Sequence, residues 1–255
     1  MCALTAALAL YVDLKLPPPW LPKAEGVKTP ILIYGVTSAV GAFAAKYARL
    51  SGLGPIIGVA GRAGDFAKTL ADYVVDYRNG EDALVAAVED IITKEGLGSK
   101  VPYVLDTISE NGSLEATLRF IELNGGLVST LLPPALFARD GGNFTYPPGV
   151  KAVNSVLPMV NSIHKDFGYI WSRYMRRILA DGRLKAHPYE VIPGGLNGVL
   201  TGLQKLKAGK ASGVKYVYRI EETKDEETPT SKKSPEVQKR KNTHPLRNFP
   251  FPAED

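Results

Sequence analysis

The stretch Thr29–Gly52, "TPILIYGVTSAVGAFAAKYARLSG", changes character twice. Its apolar run, PILIYG, has the β-branched and aromatic residues of a buried strand and ends at Gly35. After a few small residues, Val40, Phe43 and Tyr47 recur on one face of a predicted helix. A strand that enters a helix in this way points the free N–H groups of the helix start at the space above the sheet edge. The stretch therefore predicts a strand, a turn suited to a phosphate, and a helix.

Each small residue of this turn has a physical use. Gly35 allows a tight exit from the strand, and the small Ser38 and Ala39 let an anion approach the backbone. Gly41 lets the helix pack closely against its strand. The spacing is G-x-x-x-x-x-G without the central glycine of G-x-G-x-x-G, so the match to the dinucleotide-binding fingerprint is partial.

The rest of the chain repeats the order of strand and helix. Further strands are predicted in GPIIGVAG, YVVDYR, KVPYVLDTIS and GLVSTLL, with helices in DFAKTLA, EDALVAAVEDIITKEG and GSLEATLRFIELNGG between them. Alternating elements of this kind form right-handed βαβ crossovers. The predicted fold class is α/β, a Rossmann-type doubly wound parallel sheet with helices on both faces.

Four segments are predicted along the chain. Residues 1–25 are a linker helix, CALTAALALYVDLKL, that is stopped by three prolines at 17–19. Residues 26–165 are the NAD(P)-binding Rossmann domain, and 166–221 are a C-terminal return of helix and strand. Residues 222–255 mix charged residues with Ser, Thr and Pro and are too poor in apolar side chains to fold, so a disordered tail is expected.

Composition argues against several classes. A net charge of +5, with no basic segment interleaved with aromatics, disfavours nucleic-acid binding. The apolar run at the N-terminus is shorter than the roughly 20 residues of a membrane span, which favours no membrane association and a cytoplasmic location. One cysteine and three histidines cannot assemble a catalytic zinc site, so no metal is expected.

The end of the second predicted strand distinguishes the nicotinamide cofactors. NAD sites place an acidic residue there for the ribose hydroxyls, whereas NADP sites place a cation for the 2′-phosphate. This chain has GVAGRAGD, in which Arg62 follows Gly61, and a guanidinium fits a phosphate with two donors. The pattern favours NADPH, with Asp65 as a ribose ligand for NADH as the alternative. A methyltransferase also has a glycine turn after its first strand, but it would carry an acidic residue at the end of the second strand, where this chain has Gly61 and Arg62.

Four stretches carry a family resemblance: ILIYGVTSAVGAFAAKYARLSG, ADYVVDYRNGED, YVLDTIS, and GRLKAHPYEVIPGGLNGVLTGLQKLKAGKASGVKYVYRI. They resemble the cofactor domain and C-terminal return of medium-chain dehydrogenases/reductases, in the zinc-free quinone oxidoreductase-like branch, and above all the fungal trans-acting enoyl reductases. The resemblance covers about residues 1 to 221. It implies cofactor contacts from Gly35, Thr37, Ser38, Ala39, Val40, Gly41, Gly61, Arg62, Tyr77, Asp106, Thr107, Ile108, Leu131 and Leu132. Of these, Tyr77 would lie near the adenosine half, and the last five would line the nicotinamide side.

The same resemblance implies a function. It is that of an NADPH-dependent oxidoreductase of secondary metabolism, which reduces an activated double bond, a carbonyl or a quinone, with a polyketide synthase as a candidate partner. Family members begin with a GroES-like substrate domain, whereas this sequence starts at the helix that follows it. The alternative is therefore a truncated dinucleotide-binding module without turnover. The return strand VKYVYRI would lack its sheet partners.

No catalytic residue is assigned from the sequence. The only Tyr-x-x-x-Lys spacing, Tyr11 to Lys15, lies upstream of the glycine turn and is interpreted as coincidence. His187, in KAHPYEV, is considered as a proton donor, with a structural strand position as the favoured interpretation. The sequence leaves both a monomer and a homodimer open.

Overall fold

A computed structural model describes residues 1–21 and 26–224 of the chain. Its main sheet has six parallel strands in the order β3-β2-β1-β4-β5-β6. The strands are β1 (Ile31–Tyr34), β2 (Ile56–Ala60), β3 (Tyr73–Asp76), β4 (Tyr103–Asp106), β5 (Leu127–Thr130) and β6 (Lys151–Asn154). The order reverses at β1, as in doubly wound sheets, so the predicted fold class is confirmed.

Eight α-helices accompany these strands within the described ranges. They are α1 (Cys2–Ala7), α2 (Ala39–Leu50), α3 (Gly64–Lys68), α4 (Glu81–Glu95), α5 (Ser113–Phe120), α6 (Pro134–Phe137), α7 (Lys165–Ala180) and α8 (Val199–Lys207). The first continues as a π-helix over Leu8–Asp13 before the prolines, so the predicted N-terminal helix is present.

The sheet is covered on both faces. Ile31 and Ile33 of β1 face a core that includes residues of α1, α2 and α7. Leu32 and Tyr34, which alternate with them, face a second core with residues of α4 and α5. Alternate side chains of β1 thus face two different cores, as expected for a central strand of a parallel sheet that is buried on both faces.

The N-terminal helix is packed into the first of these cores. The Tyr11 hydroxyl lies 2.8 Å from the Ser51 hydroxyl and donates to the Tyr47 carbonyl at 3.1 Å. Its ring lies 4.6 Å from that of Trp171, a fully buried residue of α7. Burial raises the pKa of Tyr11, the opposite of what a catalytic tyrosine needs. The structure thus agrees that Tyr11 and Lys15 are a coincidental pair.

Two features differ from the sequence predictions. Strand β6 was not predicted, because its four residues follow a long irregular loop and have no apolar run. The return strand was expected to lack partners, and this was wrong: β7 (Tyr189–Val191) and β8 (Lys215–Val217) form a two-stranded parallel sheet of their own. The predicted tail, 222–255, lies outside the described residues apart from its first three.

Candidate functional site

The turn between β1 and α2 is built on two glycines. Gly35 has a φ of +75°, a conformation in which other residues are strained. Gly41 packs against the turn itself: a Cβ there would lie 3.0 Å from the carbonyl carbon of Gly35 and 3.0 Å from Cα of Val36, and closer still to the Gly35 oxygen. The predicted close approach therefore exists, and it joins the helix start to the turn that precedes it.

Ser38 caps this helix. Its hydroxyl accepts from the Gly41 N–H at 3.0 Å and lies 2.8 Å from the Thr107 hydroxyl. Thr107 in turn donates to the Tyr34 carbonyl at 2.8 Å, so the turn is tied to the end of β4. Since the Ser38 oxygen is engaged internally, the groups left for an anion are the N–H groups of Ala39 and Val40, which have no intrahelical acceptor.

A cavity of about 300 Å³ opens beside this turn, at the lower end of the range for ligand pockets. Seven of the predicted residues line it: Gly35, Thr37, Ser38, Gly61, Arg62, Tyr77 and Ile108. Tyr77 lies over the Gly61 backbone, where an added Cβ would be 2.8 Å from its ring. The strand ends of β1, β2 and β4 thus place residues from three predicted motifs at one cavity.

The other seven predicted residues do not line the cavity. Asp106 is fully buried, and its carboxylate accepts from the N–H groups of Ile108 and Ser109 at 2.9 and 2.8 Å and from the Ser113 hydroxyl at 2.6 Å. Burial raises the pKa of this carboxyl. Asp106 therefore holds the loop after β4, and its side chain faces that loop. Ala39, Val40, Gly41, Thr107, Leu131 and Leu132 are likewise not among the lining residues.

The C-terminal return supplies a wall of the cavity that the sequence analysis did not assign. Ala211, Ser212 and Gly213 line it, and Gly213 packs against Ala63. Nη2 of Arg62 donates to the carbonyl of Gly209, which fixes the guanidinium beside this segment. The stretch AGKASG was part of the family resemblance, so its motif was the signal that could have assigned this wall.

Two further lining residues, Glu110 and Asn111, come from the loop after β4. Ser109 and Asn111 have φ values of +57° and +55°, a left-handed conformation that is uncommon outside glycine and concentrates at functional sites. The dipeptide Asn111–Gly112 is a turn signal in the sequence, but it does not tell which cavity the turn faces.

His187 lies outside this cavity. It is 8% exposed, with its ring centre 5.5 Å from that of Phe66 and 6.5 Å from that of Phe43. Burial, followed by the charges of Lys46 and Lys215, lowers the pKa of His187 to about 4. The imidazole is therefore neutral at physiological pH, as the structural interpretation of this residue requires.

Among residues 1–21 and 26–224, no three His, Cys, Asp or Glu side chains lie close enough together to hold a metal ion. In the same ranges, none of the helices combines the length and the apolar character needed to cross a bilayer.

The sheet order and the glycine turn define a Rossmann-type α/β protein. Comparison with curated proteins finds a trans-enoyl reductase of Gibberella fujikuroi, 34% identical over 204 residues, which cover 77% of this chain and 56% of the relative. A trans-enoyl reductase of Alternaria alternata is 34% identical over 223 residues, 85% of this chain and 62% of the relative. The chain is a homologue of the fungal trans-enoyl reductases. It spans about three fifths of the length of these relatives.

Solved structures agree on the fold. The CurK enoyl reductase superposes with a TM-score of 0.64 at 18% identity, over 85% of this chain and 60% of that one. CurA of Vibrio vulnificus in complex with NADPH gives 0.58 at 17% identity, over 85% and 61%. No family model matches the chain.

Proposed function

We propose that the described residues form the NADPH-binding half of an oxidoreductase that reduces an activated double bond. The observation that carries the proposal is that Arg62 lies at the cavity beside the glycine turn, between Tyr77 and the return segment. The names of the relatives, trans-enoyl reductases, supply the reaction class. The NADPH complex of CurA, which has the same fold, supports the choice of cofactor.

The residues present fit a dinucleotide. Gly41 lets the helix start lie close against Gly35 and Val36, and the N–H groups of Ala39 and Val40 have no intrahelical acceptor that would compete with a pyrophosphate. Tyr77, 49% exposed, offers a ring face at the adenosine end of the cavity. These are contacts that NADPH and NADH have in common.

Arg62 favours the phosphorylated cofactor. A guanidinium has five N–H donors, and the bond to Gly209 uses one of them, so the others are available for a 2′-phosphate. The alternative ligand, Asp65, does not line the cavity, and its side chain is fully exposed and pairs with Lys68 at 3.2 Å. The geometry thus supports NADPH over NADH.

When bound, the cofactor would supply a hydride to the substrate. The residues of this chain would bind and orient it: the helix start holds the pyrophosphate, and the Arg62 side chain holds the 2′-phosphate. The loop that Asp106 fixes would position Ile108 against the cofactor. No described residue is assigned as the proton donor.

A second candidate is a dinucleotide-binding module without turnover. It is favoured by one observation, that the described residues offer cofactor contacts at the cavity while none of them is assigned as a proton donor. This candidate predicts the same cofactor affinity as the oxidoreductase, but no oxidation of NADPH when a substrate is added.

Two measurements on one protein preparation separate the candidates. NADPH and NADH are titrated by fluorescence, and NADPH oxidation is followed by absorbance with an enone, an α,β-unsaturated thioester and a quinone. Tighter binding of NADPH with substrate-dependent oxidation is the expected result. If NADPH binds but is not oxidised with any of the acceptors, only the binding-module candidate remains. If neither cofactor binds, both candidates are overturned.

The substrate and partner follow from the resemblance as part of the same proposal. The substrate would be an enoyl chain carried by a polyketide synthase. Presenting the same enoyl group on an isolated acyl carrier domain and as a free thioester tests this: a higher kcat/KM for the carrier-bound form is expected, and equal values would argue against the partner.

A further inference from the structure

A second, larger cavity lies away from the cofactor site. It is a groove of about 920 Å³ between α7, the N-terminal helix and the 3₁₀ turn Leu157–Asn161. Its lining includes four cations from α7, Lys165, Arg173, Arg176 and Arg177, and no carboxylate. It has no lining residue in common with the cofactor cavity. The groove is therefore a separate feature that the proposed function does not use.

These cations are available to a ligand. Among the described ion pairs, none involves any of the four. Two acids lie close in sequence: Asp166 is in the first turn of α7 and outside the lining of the groove, and Asp181 follows the helix. Asp181 accepts hydrogen bonds of 2.9 and 2.6 Å from Arg183, and the charge of Arg177 also acts on it. Four like charges on one helix repel each other, so a ligand that neutralises them gains that energy on binding.

One of the cations is held in place before any ligand arrives. Nη1 of Arg173 donates to the Tyr169 hydroxyl at 2.6 Å, and the guanidinium lies 5.1 Å from the centre of the Tyr169 ring. Tyr169 is 62% exposed. Arginine and tyrosine are enriched among the residues that dominate binding energy at protein interfaces. An arginine that is held in place beforehand loses less side-chain entropy on binding.

The length of the charged row limits what can occupy it. Lys165 and Arg177 are twelve residues apart on α7 (177 − 165), which at 1.5 Å per residue is about 18 Å along the helix. A single phosphate is too small to contact all four cations. An acidic helix of similar length can place carboxylates along the whole row.

Apolar side chains at the groove favour a protein over a nucleic acid as its ligand. Leu4 and Val160 line the groove, and Ile163 and Ile170 next to it are 72% and 54% exposed. Rows of nucleic-acid phosphates offer nothing to such side chains, whereas an amphipathic helix does. We infer that the α7 groove is a docking surface for an acidic, amphipathic helix of a partner protein.

The test uses a defined probe. A fluorescent 16-residue helical peptide, with Glu along one face and Leu at every third or fourth position, is titrated with the full chain at low and at high salt. The same peptide with Gln in place of Glu, a DNA duplex and inorganic phosphate are the comparison ligands. The variants are Arg173→Glu/Arg176→Glu and, with the same change of net charge at exposed positions outside the groove, Lys151→Glu/Lys207→Glu.

We expect the wild type to bind the Glu peptide at least 10-fold tighter than the Gln peptide, with an affinity that falls as salt rises. The Arg173/Arg176 variant should lose this binding more than 10-fold and keep its NADPH affinity, whereas the Lys151/Lys207 variant should keep both. In the binding titrations, any of three results would overturn the inference: an equal loss in both variants, a preference for DNA or phosphate over the peptide, or no peptide binding by a folded wild type. Concentration-dependent self-association that the Arg173/Arg176 variant abolishes would also overturn it, since the occupant would be a second copy.

Discussion

Replacing Gly41 by alanine tests the geometry of the glycine turn with a single methyl group. The added Cβ would lie 3.0 Å from the Gly35 carbonyl carbon and from Val36 Cα, whereas ordinary contact begins at 3.4 Å. The helix start must therefore move by more than 0.4 Å (3.4 − 3.0), with the Gly35 oxygen demanding more. All the atoms it meets are backbone, so no rotamer change can relieve the contact.

This displacement sets the size of the effect. Overpacking of this kind costs about 1–3 kcal/mol of folding free energy. A hydrogen bond of about 2.9 Å from Ala39 or Val40 to a phosphate would lengthen past about 3.2 Å, the limit of good geometry. Hydrogen bonds to charged groups contribute about 1.5–3 kcal/mol each, so losing two would weaken binding of both NADPH and NADH by about 100-fold or more.

Gly64→Ala is the matched control, because Gly64 also begins a helix but has nothing within 4 Å of its added Cβ. Urea unfolding gives the stability of each variant, and fluorescence titration gives both cofactor affinities. The control should match the wild type in both. A Gly41→Ala protein with wild-type stability and wild-type affinity would refute the reasoning.

Two other substitutions probe the same site, and a third tests the buried His187. Arg62→Ala should weaken NADPH binding by about 1.5–3 kcal/mol and leave NADH nearly unchanged, as titrations of both cofactors would measure; an equal loss for both would exclude a 2′-phosphate contact. Ser38→Ala should cost about 1 kcal/mol in urea unfolding through the lost helix cap and hardly affect NADPH affinity, because the hydroxyl is engaged internally. His187 has a folded pKa of about 4 against about 6.5 unfolded, so the unfolded state binds more protons and stability should fall by up to about 3 kcal/mol as pH falls from 6.5 to 4. Unfolding curves across this range should lose that slope in His187→Gln and keep it in the control His164→Gln.

The local signals in the sequence were sufficient for most of the fold. The apolar runs of β1 to β5 were predicted because each is short, rich in β-branched residues and bounded by glycine, proline or charged residues. The glycine turn was also predicted from local signals. The φ of +75° at Gly35 and the close contact at Gly41 each favour glycine at one position, so each is visible in the sequence. Strand β6 has no such signal, because it is an exposed edge strand and its residues, Lys151–Asn154, need not be apolar.

The cavity is lined by residues from distant parts of the chain, and local sequence patterns could not predict that these residues meet. Arg62 and Gly209 are 147 residues apart, and their contact depends on where the return segment docks. The sheet of β7 and β8 is equally non-local, because a parallel pair is joined by a long connection. The family resemblance implied a cofactor contact for Asp106, the last residue of β4, whereas local patterns could not predict the three hydrogen bonds that direct its carboxylate toward its own loop.

The docking of the return segment depends on contacts within this chain. Lys46 on α2 donates to the carbonyls of Lys185 and Ala186 at 3.0 Å each, and the neighbouring His187 lies between the rings of Phe43 and Phe66. Arg62 adds a third attachment at Gly209. All three are contacts to the Rossmann core, so the wall that Ser212 and Gly213 give to the cavity is held by residues of this chain. NADPH affinity should therefore depend on these three attachments, because loosening any of them would displace the wall that Ser212 and Gly213 give to the cavity.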